Sequence, residues 1–225
     1  MTFVEQLERD TAPDRREFSA IPVIAEALAG KVTRELYLDF LASAYHHVRH
    51  TVPLLALAAS RCGAGDETLH RALNAYIEEE TGHDAWILDD IRALGGDADA
   101  VAAGDGTLAV RVMVAYAYHI IERGNPYGLL GMVHVLEGMS VALAIAAADA
   151  IRTSLGVGGD AGFSYLRSHG QLDLEHIAFL KRLLAEIDTP ERRAVVIGAA
   201  RDFYRLYGDI FRALATGAGR LSHAA

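Results

Sequence analysis

The stretch from Gly128 to Ala148, GLLGMVHVLEGMSVALAIAAA, holds Glu137 as its only acidic residue. An apolar run of about six helical turns is either a membrane span or the central helix of a bundle. His134 and Glu137 stand at its middle, and an ionisable group in hydrocarbon is costly. The reading is therefore a central bundle helix, which other helices must surround. A buried, unpaired carboxylate is also costly, so the chain has to bring Glu137 a partner.

Two other segments offer one. Ser168 to Lys181, SHGQLDLEHIAFLK, carries His169, Asp173 and His176 at i, i+4 and i+7. On an α-helix these project from one face as a comb of ligands. Imidazole with carboxylate suits iron, manganese or zinc, and the lack of a cysteine partner argues against a structural zinc site. Tyr76 to Ile91, YIEEETGHDAWILDDI, places Glu80 and His83 three apart, as neighbours on a helix face. Glu80, His83, Glu137, His169, Asp173 and His176 together form a complement that can hold two iron ions. The surrounding Glu78, Asp84, Asp89, Asp90 and Glu175 are read as the solvated sides of their helices.

The rest of the chain agrees with an all-α fold. Its 225 residues are 52% apolar with five prolines, and no alternating β-branched run of strand length occurs. One helical domain over 1–225 is expected. Helices are predicted over about 3–9, 22–28, 34–61, the segment bearing Glu80 and His83, 107–122, 127–154, 160–186 and 190–214. Thr33 is placed to cap the third and Pro53 to bend it. Residues 97–106 read as a flexible loop, and short breaks elsewhere predict antiparallel neighbours. The C-terminal segment with His223 reads as frayed. A net charge of −9 supplies no basic stripe, so nucleic acid and membrane surfaces are not expected partners. The single cysteine, Cys62, fits a reducing compartment, and the acidic N-terminus lacks a secretory pattern, so a cytoplasmic location is expected.

In AYHHVRHTVPLL, His46 and His50 are i,i+4, yet no carboxylate shares their face. They and Arg49 are read as pocket-lining or supporting groups that hydrogen-bond a ligand carboxylate or meet a substrate anion, and otherwise as helix surface. His70, His119 and His134 take no role, and Tyr116, Tyr118 and Tyr127 are core or pocket wall.

The motifs EETGHDAW, HVLEGMS and SHGQLDLEH resemble those of the haem-oxygenase-like di-iron oxidases, within the wider TenA, PqqC and haem oxygenase-like superfamily. The resemblance covers nearly the whole chain. It implies a TenA-like bundle of about seven helices in which Glu80, His83, Glu137 (followed by Gly138), His169, Asp173 and His176 are the metal ligands. Two Fe(II) per chain with O2 as co-substrate are then expected, acting on a small organic molecule such as a fatty acid or an amino-acid-derived acid. Oxidative decarboxylation, C–C cleavage and N-oxygenation all occur within what the resemblance implies. The E-x2-H helix is most similar to that of the 1-undecene-forming fatty-acid decarboxylase branch. Where other members carry a carboxylate seven residues before the histidine, this chain has Tyr76, a pocket candidate, and Glu79 stands beside Glu80 as the alternative ligand. Glu137, on a different helix from the comb, is the expected bridge. A homodimer and an external electron donor complete this expectation. The competing expectations are a mono-iron centre in place of two irons, a TenA-like thiaminase or pyrimidine hydrolase, the thiaminase using Cys62 as its nucleophile, a metal-free ligand-binding protein, and an iron-storage or regulatory protein without its own substrate.

Overall fold

The computed structural model describes residues 1–216, apart from the side chains of residues 169–175. His223 and the side chains of His169, Asp173 and Glu175 thus lie outside the described residues. In chain order the helices are α1 (Phe3–Asp10), α2 (Ala12–Ser19), α3 (Pro22–Leu28), α4 (Arg34–Val48), α5 (Thr51–Ser60) and α6 (Glu67–Glu80). They continue as α7 (His83–Ala93), α8 (Ala98–Ala103), α9 (Leu108–His119), α10 (Gly128–Ser154), α11 (Ser164–Ala185) and α12 (Pro190–Ala215). A π-helical turn, Ile120–Gly124, extends α9. No strand occurs among the described residues, and the architecture is the all-α bundle expected.

The differences from expectation are local and have physical causes. Thr33 caps α4 as expected, its hydroxyl accepting from the Leu36 amide at 3.2 Å. The chain then breaks at Arg49 and His50, before Pro53. A proline ring clashes with the carbonyl four residues back, here Arg49, so α4 stops there and Pro53 falls in the first turn of α5, where its missing N–H costs nothing. The helix predicted through Glu80 and His83 is likewise two helices. Thr81 is extended and Gly82 has φ +93°, in the left-handed region that glycine enters cheaply. α2 and α8 occupy segments expected to be irregular. Asp97 accounts for the second, capping α8 by accepting from the Ala100 amide at 2.9 Å.

α10 packs chiefly on α11 and α12, with α3 across its second half. Its approach to α12 is so close that a Cβ on Gly131 would lie 2.7 Å from the Val196 carbonyl oxygen. Length and composition alone would let α10 cross a membrane, but this packing makes it the central bundle helix.

The apolar interior falls into two clusters. One gathers α1, α5, α6, α9, α12, the first half of α10 (Leu129 to Met139) and the end of α11 (Leu180 to Leu184). The other gathers α4, α7, α8, the second half of α10 (Ala144 to Ile151) and the start of α11 (Phe163 to Leu166). The chain passes from one cluster to the other between α3 and α4, at the α4/α5 break, at the α6/α7 break, between α8 and α9, and midway along both α10 and α11. The polar residues of the sequence motifs converge at a seam between the clusters, near the α6/α7 break and the middles of α10 and α11.

Candidate metal centre

Glu80 ends α6 and His83 begins α7. The Thr81 hydroxyl donates to the Ile77 carbonyl at 2.6 Å, closing α6, and Gly82 reverses the backbone into α7. The pair still meets across this kink, with His83 Nδ1 3.1 Å from Glu80 Oε2, both side chains 8% exposed. The Trp86 ring stacks on His83 with centroids 4.1 Å apart, which fixes the imidazole plane.

α11 is held in register with α7 by Asp90. Its carboxylate accepts from the Ser164 amide (2.9 Å), the Ser164 hydroxyl (2.8 Å) and the Tyr165 amide (2.8 Å). Asp90 thereby supplies from α7 the N-terminal cap that α11 lacks in its own sequence. It is buried, which corrects its reading as a solvated residue. Burial pushes its carboxyl pKa up, against the pull of these hydrogen bonds.

About three turns further on, His176 projects into the seam. Its Nδ1 lies 3.4 Å from Glu80 Oε1 and 3.7 Å from Glu137 Oε1. Glu80, Glu137 and His176 each offer a ligand atom within 4.8 Å of the other two. On the opposite side of the ring, His176 Nε2 meets Glu79 Oε2 at 3.1 Å, from a glutamate that is 55% exposed. The two neighbouring glutamates are thus separated by direction: Glu80 faces inward to the cluster, and Glu79 reaches the far nitrogen of the same histidine. Tyr76 forms a wall here, its ring 5.5 Å from that of His176 and its hydroxyl donating to the His176 carbonyl at 3.4 Å. Burial, then the nearby Glu137, Glu80 and Glu79 charges, push the phenol pKa up, so Tyr76 keeps its proton.

A cavity of about 90 Å³ opens beside the cluster, lined by Glu80, Glu137, His47, Thr51, Tyr165 and Tyr207 with apolar residues of α5 and α10. His47 is the functional candidate that sequence reasoning missed. The available signal was that His47 and Thr51 share a helical face with Leu54 and Leu55, whereas His46 and His50 share another. His46, Arg49 and His50 point away from this cavity. His46 is buried beneath the Gly104–Gly106 loop, where a Cβ on Gly106 would lie 2.8 Å from its ring. Its ring nitrogens have no hydrogen-bond partner among the described residues, and burial, reinforced by Arg49, lowers its pKa to about 4. His50 Nδ1 pairs with the Tyr118 hydroxyl at 3.1 Å, and Arg49 donates to the Ala102 carbonyl at 3.4 Å. Cys62 lies outside this cavity, its thiol donating to the Ala58 carbonyl at 3.5 Å. Burial and the Asp66 charge raise its pKa to about 11.

This donor set suits a metal. Two carboxylates held together with little water repel each other, and a cation between them removes that repulsion. Two oxygens and an imidazole nitrogen match iron or manganese better than a thiolate-seeking metal.

The fold places the chain among the haem oxygenase-like proteins. Residues 38–208 match the iron-containing redox enzyme family, and the chain belongs to that family. A domain of unknown function with a haem oxygenase-like fold from Shewanella denitrificans OS217 superposes with a TM-score of 0.88 at 22% identity, covering 100% of this chain and 99% of that one. A TenA homologue from Pseudomonas syringae pv. tomato DC3000 gives 0.80 at 11% identity over 95% and 93%. Haem oxygenase-1 from Synechocystis, solved in complex with haem, gives 0.73 at 11% identity over 97% and 96%. At such identities the likeness concerns the fold alone. No curated protein matches the chain.

Proposed function

We propose that this chain is a non-haem, iron- and O2-dependent oxidoreductase acting on a small organic substrate. The observation that carries the reading is the convergence of Glu80, Glu137 and His176 from three helices at one seam, in a member of the iron-containing redox enzyme family. Glu80, His83, Glu137 and His176 would hold iron, and His169 and Asp173 of the comb would complete a two-iron set. Glu80 directs Oε1 toward His176 and Oε2 toward His83. Its two oxygens therefore face both histidines, and it would serve with Glu137 as a carboxylate ligand of the bound metal. Bound iron supplies the capacity to reduce O2 and to oxidise a neighbouring C–H, C–C or C–N centre.

The chain's own groups prepare that site. Glu79 Oε2, 3.1 Å from His176 Nε2, is placed to accept a hydrogen bond from that N–H, which would leave the Nδ1 lone pair facing the inward carboxylates. Tyr76 fixes the backbone behind the same histidine. Leu54, Leu129 and Met132 line the cavity and keep water from it. His47 and Thr51 present polar atoms to a substrate head group. Oxidative decarboxylation of a carboxylic acid is one outcome compatible with this arrangement.

A thiaminase of the TenA type needs a reactive thiol in the pocket. Cys62 is outside it and has its thiolate disfavoured, so the metal reading is preferred. Anaerobic titration with Fe(II) tests it: about two irons per chain are expected, followed by rapid O2 consumption. His176→Ala should lose at least one iron while keeping helical content. A native chain with no tight iron binding, or a His176→Ala variant with unchanged iron content, refutes the assignment.

A further inference from the structure

Two aromatic side chains touch the histidines of the cluster, and they differ in what each can do with an electron. The Tyr76 ring meets that of His176 edge-on, with centroids 5.5 Å apart. The Trp86 ring lies on that of His83 nearly parallel, at 26° and 4.1 Å. Trp86 is the only tryptophan of the chain. Indole and phenol both give up one electron more readily than a phenyl ring does.

A phenol has to shed its proton as the electron leaves. Tyr76 is 2% exposed and its hydroxyl donates to the His176 carbonyl, which accepts a hydrogen bond but is too weak a base to take the proton. Tyr76 is thereby held out of one-electron chemistry. An indole has no such restriction, because it can lose the electron first and release its N–H proton to water afterwards. Trp86 is half-buried, and Ala85 and Asp89 beside it on α7 are exposed. The indole thus reaches from the buried imidazole toward solvent.

The reaction class makes such a route useful. Reduction of O2 to two waters takes four electrons and four protons. Two ferrous ions supply two electrons, and a substrate oxidised at the site supplies the other two. When no substrate is bound, two electrons are missing.

From the stack and its outlet we infer that Trp86 is a one-electron relay between the metal centre and the surface. The inference rests on the proposed iron site. An electron leaves the indole through the stacked imidazole of His83 for the oxidised centre, and the resulting indole radical cation releases its N–H proton to water. A one-electron reductant of the ascorbate class then returns an electron to the ring, and solvent returns the proton. Two such passages complete the four electrons and end with two ferric ions, two waters and an intact indole. Trp86 acts through His83 and touches neither substrate nor metal, so its role is to protect the site when turnover finds no substrate. Phenylalanine packs on an imidazole as well as tryptophan does but does not pass the electron, which separates relay from packing.

The test mixes anaerobic Fe(II)-loaded protein with O2 in the absence of substrate and freezes samples at intervals for electron paramagnetic resonance. An organic radical is expected, with a hyperfine pattern that narrows when the protein carries ring-deuterated tryptophan. With a single tryptophan in the chain, that narrowing assigns the radical to Trp86. Trp86→Phe should bind iron and consume O2 as the native protein does, yet lose this radical, and ascorbate should shorten the native radical's life. Native protein that loads iron and consumes O2 without a deuterium-sensitive radical overturns the inference. So does the same radical in Trp86→Phe, or a radical indifferent to ascorbate. If Trp86→Phe is misfolded, the deuterium comparison on native protein decides alone. A native chain that takes up no Fe(II) in the preceding titration refutes the iron reading, and the relay with it, which distinguishes that failure from failure of the relay alone.

Discussion

Glu79 and Glu80 are adjacent and chemically identical, yet they meet opposite nitrogens of one histidine. Their difference predicts different losses. Glu80→Gln should abolish tight Fe(II) binding, whereas Glu79→Gln should weaken it about 10–100-fold, the usual effect of removing the group that orients a ligand. Glu78→Gln, in the same exposed turn, is the control for charge alone and should change affinity far less; equal losses in Glu78→Gln and Glu79→Gln would dismiss the orienting role. Two histidines, His46 buried and His134 half-buried, predict a pH effect on stability. His46 and His134 are both held near pKa 4, chiefly by burial, below the ~6.5 of an unfolded chain. The unfolded state binds more protons in that window, so stability is fully present above about pH 6.5 and falls as pH drops toward 4. Denaturant midpoints should follow that slope, and His46→Leu should flatten it. Glu80, Glu137 and His176 were legible as ligand-type residues because each is an ionisable group in an apolar helical context, but the i,i+3 spacing of Glu80 and His83 implies one helix face, and the two meet instead across the break at Thr81 and Gly82. His47 was not legible, because in a run of histidines only the tertiary packing decides which one faces the cavity.

At the scale of elements, the long helices were readable from apolar periodicity, and their interruptions were less so. The break at Gly82 required a backbone conformation that composition does not announce, since the same glycine within a helix costs only ~1 kcal/mol. Asp90 was misread for a related reason. A carboxylate on the far side of a helix looks solvated until the bare N-terminus of α11 is brought against it. Removing this cap exposes the dependence: Asp90→Ala should cost about 2 kcal/mol or more, because it strips three hydrogen bonds at once and leaves two amides unpartnered. Iron affinity should fall as well, since α11 carries His176. Thermal melts of the metal-free variant and iron titration of the folded variant check the two effects separately, and an unchanged Tm would remove Asp90 from this role.

For the whole molecule, the all-α class followed from composition and from the apolar run around Glu137, but the division of the interior into two clusters did not. It depends on which half of α10 each neighbour covers, and no local pattern encodes that. At the seam between the clusters the proposed iron would have a structural task alongside its chemistry. Glu80 is attached to one cluster through α6 and His83 to the other through α7, while Glu137 and His176 sit on helices that cross between them. A cation held by all four fastens the two halves together. Binding only the folded state at a hundredfold excess over Kd adds ~2.7 kcal/mol, so Fe(II) should raise Tm by several degrees and slow proteolysis at the α4/α5 and α6/α7 breaks. A metal-indifferent melting curve would rule this out. With iron bound as proposed, the centre would act as a rivet as well as a reagent, and a chain starved of iron would be both inactive and easier to degrade, tying its abundance to the supply of that metal.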